Sequence, residues 1–368
     1  MAAMIMGCAQ KGSNLTKSGL DPENFNAERD GAKTALYTLT NEAGMEVCIT
    51  NFGGRIVSIM VPDRNGEFKD VVHGFDNIND YFPENNKTDF GATIGRYANR
   101  IDHGKITVEG VEYQLPQNDD PHCLHGGPNG WQYKVFEVVE SDGSHVKMKV
   151  DSPDGDANFP GHVTAFVTFT LTPDNGIDIN YEATTDKTTV INMTNHSYFN
   201  LSGDGNNSIE GHELYINASN FTPCDNTFMT TGEIAPVEGT PMDFRTPKAI
   251  GKDINADYEQ LHNGHGYDHN WVLDTKGDKS VVAAELYCPE TGIVLREYTN
   301  EPGVQVYVGN FLDGSKVGKR GVTYNFRTAA CLETQKYPDT PNKPEWPSAL
   351  LRPGETYHSF CRFEFSTK

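Results

Sequence analysis

TAFVTFTL, residues 164–171, reads as a β-strand with two unlike faces. Ala165, Val167, Phe169 and Leu171 fall on one side, and Thr164, Thr168 and Thr170 on the other. Alternation with period two marks a strand with one buried face and one wet face, as in antiparallel sheets. The pattern recurs on both sides of this stretch. Ile177, Ile179 and Tyr181 alternate with Asp178, Asn180 and Glu182. Val146, Met148 and Val150 alternate with Lys147 and Lys149, and Cys361, Phe363 and Phe365 with Arg362 and Glu364. Turn-forming pairs separate strand-like runs: Asn65-Gly66, Glu109-Gly110, Asp142-Gly143, Asn175-Gly176 and Thr291-Gly292. No long segment carries a clear helical period, and no repeat of fixed length is present. Regular strand–turn spacing with few helices predicts an all-β fold, a large antiparallel β-sandwich rather than a βαβ fold.

Residues 1–30 show no hydrophobic period and read as a tail. The rest, 31–368, reads as one domain, its edge no earlier than about Asn26. Within the tail, MAAMIMGCAQ (residues 1–10) places Cys8 after a short apolar run and a small residue. That arrangement is similar to the end of a bacterial lipoprotein signal, although the charged front part is missing. It leads us to expect a periplasmic or membrane-anchored lipoprotein, tethered through a lipidated Cys8 with residues up to about Arg29 as a linker. The alternative is a cytoplasmic protein. No stretch is long and apolar enough to span a bilayer.

The formal net charge is −21, and no block of Lys or Arg interrupts it. A nucleic-acid partner needs a basic footprint, so none is expected. The same field disfavours anionic membranes and, more weakly, phosphorylated substrates, which leaves a neutral small molecule. The competing reading of the charge is solubility alone. The seven cysteines include no CxxC pair and read as buried thiols, not as a zinc site or a disulfide framework. HExxH, GxSxG, the phosphate-binding GxxxxGK[ST] and a strand-linked GxGxxG are all absent.

Polar clusters that break the alternation carry the chemistry. GRYANRI, residues 95–101, gathers Arg96, Asn99 and Arg100, donors in fixed planes suited to holding hydroxyls; a surface ion pair is the competing role for either Arg. In HCLHGG, residues 122–127, His125 precedes two glycines on a close-approach loop. It reads equally as a metal ligand, a catalytic group or a histidine satisfied by its own loop. TNHSYFNLSG, residues 194–203, surrounds His196 with hydrogen-bonding neighbours that can set its tautomer, or bury it as a core histidine. CLETQKYPDTPN, residues 331–342, puts Glu333 in an apolar strand end, where desolvation raises a carboxyl pKa; the alternative is a surface Glu.

Taken in order, GRYANRI, LHGG, TNHSYFNL, PMDFR (241–245), GYDHN (266–270), GVQVYVGNF (303–311) and LETQ-x-YPD (332–339) resemble the motif series of aldose 1-epimerases. The one departure is Gly130-Trp131-Gln132, after LHGG, which bears on the rim of a pocket. The resemblance implies a galactose mutarotase-like supersandwich that interconverts the anomers of a free aldose and needs no cofactor or metal. It implies Glu333 as the base for the C1 hydroxyl, His196 as the acid for the ring oxygen and His125 as a second donor. Asn99, Arg100, Asp243 and Gln305 are then the hydroxyl clamp. On this reading Glu333 and His196 face one sugar from opposite sides, with Glu333 ionised and His196 kept cationic by an acidic neighbour. Two other readings share the fold: a hexose-6-phosphate 1-epimerase, which needs a basic phosphate pocket, and a carbohydrate-binding protein without catalysis.

Overall fold

The computed structural model describes residues 15–203, 205 and 207–368. Val163–Leu171 is a strand whose residues alternate between buried and half-buried along its whole length. It pairs with His145–Ser152 on one side and Gly176–Thr185 on the other. These belong to a nine-stranded sheet that continues through Tyr357–Thr367, Ile293–Thr299, Ala284–Tyr287 and Glu213–Ile216. A five-stranded sheet runs Ala235–Pro236, Asn220–Thr222, Asp268–Val272, Gly303–Tyr307, Cys331–Gln335. A four-stranded sheet runs Leu36–Thr40, Glu46–Thr50, Arg55–Pro62, Phe68–Asp70. Every strand pairing in these sheets is antiparallel. Among the described residues the one α-helix is Glu259–Asn263.

The inward faces meet in one large core. Val167 and Phe169 of the nine-stranded sheet share it with Val304, Val306 and Leu332 of the five-stranded sheet and Val47 and Ile49 of the four-stranded one. Burial of each such side chain contributes about 1.5–3 kcal/mol, which holds the layers face to face. The turn pairs sit where the alternation breaks. Glu109 and Gly110 both take positive φ, 51° and 81°, and close a two-residue hairpin between Lys105–Val108 and Val111–Gln114.

The tail is shorter than its sequence indicates. Leu20 and Phe25 are buried in a second core with Phe52, Phe75 and Phe82, and Ala27–Arg29 pairs with Ala32–Thr34. The described residues before Asp30 are therefore packed against the body and are not a linker. Two isolated apolar residues carry no period, so only their tertiary partners reveal them. Cys8 lies outside the described residues. The other six cysteines are buried and unpaired.

Candidate active site

Glu333 sits mid-strand in Cys331–Gln335, at the edge of the five-stranded sheet. Register places Gln305 directly opposite Glu333, and Tyr307 opposite Asp268 one pleat further on. Residues opposed in an antiparallel ladder, and those two along, share a face. The sheet thus presents Glu333, Gln305, Asp268 and Tyr307 on one side. His196 ends Thr194–His196, which pairs with Ala92–Ile94. Tyr198 stacks on its ring at 5.1 Å, with 16° between the planes.

Two loops complete the wall. His125 accepts a hydrogen bond at Nδ1 from the Asn99 backbone N–H, 3.1 Å away, so its Nε2 carries the proton. Gly126 allows this approach: a Cβ there would lie 2.3 Å from the Gly95 carbonyl oxygen. The LHGG and GRYANRI loops are pressed together on that contact. The two arginines of GRYANRI diverge. Arg96 points into the body and donates to the carbonyls of Pro160, Gly161 and Ser152. Arg100 faces the cleft, with Nε 2.7 Å from Asp119 Oδ2.

Together these groups enclose a cleft of about 180 Å³, lined by Asp89, Asn99, Arg100, His125, His196, Asp268, Gln305, Glu333 and the side chains of Leu124, Tyr198, Tyr307 and Phe311. At about 30 Å³ per liquid water, the space equals roughly six waters, the scale of one sugar ring. At its floor Glu333 Oε1 lies 3.5 Å from His196 Nε2. Glu333 Oε2 and Gln305 Oε1 are buried without a hydrogen-bond partner, although Gln305 Nε2 donates to Asp268 Oδ1 at 2.7 Å. Buried acceptors left open are costly unless a ligand supplies donors.

Burial pushes the Glu333 carboxyl well above the usual carboxylate range, helped by Asp268 and Asp89 and opposed by Arg100. Burial also lowers His196 to about 4, and lowers His125 well below its usual range. Burial thus works against both of the charges expected here, raising Glu333 and lowering His196. Nor do the two stand on opposite sides, since they touch within one floor.

A motif-by-motif order on a β-sandwich, with these groups converging on one cleft, matches what comparison with known proteins finds. The family model for aldose 1-epimerase matches residues 35–364. The chain belongs to the aldose 1-epimerase family. It is 43% identical to galactose mutarotase of Rattus norvegicus over 323 residues, 88% of this chain and 91% of the rat protein. It is 38% identical to aldose 1-epimerase of Escherichia coli K12, over 91% of this chain and 96% of that protein. Among solved structures, a GalM/aldose epimerase homologue from C. elegans superposes with a TM-score of 0.83 at 32% identity, covering 91% of this chain and 99% of that one.

Of the residues expected to form the epimerase site, Glu333, His196, His125, Asn99, Arg100 and Gln305 converge. Asp243 does not. It lies in a turn between the buried Met242 and Phe244 and is itself part-exposed. There both of its oxygens are taken by Arg245, at 2.9 and 2.7 Å, beside a separate surface hollow. Asp268 holds the cleft position instead, and it was legible only as part of GYDHN. Asp89 had no signal in the sequence. Its carboxylate and one ring nitrogen each of His125 and His196 lie within 4.8 Å of one another, a His-His-carboxylate set of the kind that holds divalent ions. An ion there would engage both imidazoles of the cleft.

Proposed function

We propose that this protein is an aldose 1-epimerase, an isomerase that interconverts the α and β anomers of a free aldose through ring opening. The observation that carries this is the Glu333–His196 pair, 3.5 Å apart at the floor of a sugar-sized cleft. The two oxygens that must exchange protons, the C1 hydroxyl and the ring oxygen, are bonded to the same carbon. An acid and a base side by side fit that demand better than an acid and a base across a ring.

The pair at rest holds its proton on Glu333, because burial favours the neutral carboxyl and the neutral imidazole. One transfer across the gap makes the carboxylate and imidazolium. Glu333 then takes the proton of the C1 hydroxyl, and the O–H electrons form the C1 carbonyl. The C1 bond to the ring oxygen breaks, and His196 protonates that oxygen. The opened aldehyde is left beside the neutral pair, the protein's own resting form. Rotation about C1–C2 and the reverse transfers close the other anomer. Each well-placed acid or base contributes about 10²–10⁴ in rate.

His125, neutral with its proton on Nε2, supplies a second donor at the same end of the sugar. Asn99, Arg100, Gln305 and Asp268 hold the hydroxyls. The one guanidinium that lines the cleft, Arg100, is already paired with Asp119, and Asp89 and Asp268 line the same space. That balance favours a neutral sugar over a phosphorylated one. Polarimetry on freshly dissolved α-D-glucose, α-D-galactose and glucose 6-phosphate tests the assignment. Rapid approach to anomeric equilibrium with the neutral sugars is expected. No acceleration of either, with binding intact, would leave a carbohydrate-binding protein.

A further inference from the structure

We infer that Asp102, His103 and His122 form a binding site for a divalent transition ion of the zinc class, apart from the floor where the sugar reacts. None of the three lines the cleft, and the site owes nothing to the anomerase reading. Each residue offers one ligand atom, and these atoms lie within 4.8 Å of one another. Two imidazoles and a carboxylate suit zinc and its neighbours, whereas magnesium and calcium prefer oxygen alone. The site grows out of the strand pair that carries Arg100. Ile101 stands opposite Cys123, and Arg100 opposite Leu124. One step further along that register sets Asp102 opposite His122. There Asp102 Oδ1 lies 3.3 Å from His122 Nδ1 and 2.7 Å from His103 Nδ1. Ligand atoms about 2.0–2.2 Å from a tetrahedral ion stand about 3.3–3.6 Å apart, so the first edge already fits and the second opens by less than about 1 Å. His103 is exposed and free to make that swing, while His122 is buried and fixed.

The backbone of this corner is held on every side. His103 takes φ +49°, a left-handed conformation uncommon outside glycine. Its N–H donates to His122 Nδ1 at 3.1 Å, and its carbonyl accepts from Gln114 Nε2 at 2.8 Å and Gln117 Nε2 at 3.2 Å. The Asp102 N–H donates to the buried Asp339 Oδ1 at 2.9 Å. The protons then decide what belongs between the side chains. Thr227 Oγ1 gives its one proton to Asp225 Oδ1, 2.6 Å away. At 2.8 Å it must therefore accept from His122 Nε2. Burial lowers the His122 pKa, against the pull of Asp102, and so favours the neutral ring. With its proton on Nε2, that ring turns a lone pair at Nδ1 toward Asp102. Two acceptors, an imidazole nitrogen and a carboxylate oxygen, thus face each other at 3.3 Å with no proton of their own between them. A cation bound to both relieves that repulsion. The His103 N–H shares the Nδ1 lone pair, and a metal–nitrogen bond of about 2.0–2.1 Å would take its place. The chain from Asp225 through Thr227 to His122 Nε2 is the kind of support that orients a metal-binding imidazole from behind.

Calorimetric titration of zinc chloride into the full, untagged, EDTA-treated chain tests the site, with magnesium chloride as the comparison. Wild type should take up zinc and show no uptake of magnesium at the same concentration. Asn tolerates positive φ, so His103→Asn removes a ligand while keeping the backbone, and Asp102→Asn keeps the shape of the carboxylate. Each should weaken zinc binding by at least about tenfold. Thr227→Val leaves all three ligands in place and should still weaken it by about 10- to 100-fold, while Thr227→Ser, which keeps the hydroxyl, should bind as wild type does. Zinc at about 100 times its Kd should raise the wild-type melting temperature by about 3 °C, a rise that His103→Asn should lose. The cleft set of Asp89, His125 and His196 is the control. Asp89→Asn should leave the zinc affinity within about twofold. Zinc binding lost in Asp89→Asn but kept in His103→Asn would put the ion in the cleft and overturn the site. No uptake by wild type, or equal uptake in every variant, overturns it as well.

Discussion

Glu333 and Glu297 are two buried carboxyls in two parts of the molecule, 2% and 0% exposed. Each has one oxygen without a hydrogen-bond partner. Burial raises both, Glu297 to about 8. Their surroundings differ. Glu297 lies on Ile293–Thr299 of the nine-stranded sheet, where the Cys361 thiol donates to it at 3.5 Å. Glu333 lies on the five-stranded sheet and lines a cleft beside an imidazole. Desolvation alone thus makes a perturbed acid. A reactive one also needs an opening and a partner with which to trade a proton.

The largest effect expected separates the two acids directly. Glu333→Gln should cut the anomerisation rate by about 10²–10⁴-fold, while Glu297→Gln should leave it within about twofold; polarimetry reads both. A wild-type rate in Glu333→Gln would break the comparison. The second prediction concerns stability. Because the folded Glu297 titrates near 8 and an unfolded Glu near 4.5, the native state holds the extra proton between those values. Stability from this group is full below about 4.5 and is lost as pH rises through about 8. At about 1.4 kcal/mol per unit, the loss across that window is on the order of 5 kcal/mol. Urea melts from pH 5 to 9 should show Glu297→Gln gaining on wild type as pH rises; parallel curves would mean that Glu297 is not held neutral.

His196→Asn should lower kcat by about 10² with little change in KM. A change in KM alone would make His196 a binder. The smallest effect contrasts Asp268 with Asp243. Asp268→Asn should weaken kcat/KM by about tenfold, the scale of one hydrogen bond to a charged group. Asp243→Asn should stay within twofold, because its partner is Arg245 on the surface. Equal effects would return Asp243 to the site.

Much of the fold was legible because the pleat of a strand writes itself into sequence with period two, as at Val163–Leu171 and Tyr357–Thr367. The turns were legible through residues that accept positive φ, such as Asn175 and Gly110. Most of the site was legible through recurring motifs. The errors share a cause. Asp243 and Asp268 each sit in a motif, Arg96 and Arg100 in the same one, and in neither pair does local chemistry say which side chain turns inward. Leu20 and Phe25 are ordinary residues until Phe52 and Phe82 cover them.

By itself the chain's order of residues determined the alternating faces, the turns and the stock of acids, imidazoles and amides, since these depend on neighbours a few positions away. Tertiary structure alone decided that Glu333 and His196 touch, that Asp268 and not Asp243 lines the cleft, and that burial opposes charge on both members of the pair. Those outcomes depend on contacts between distant segments and on the loss of water around buried charge, and neither is written in any short stretch of sequence.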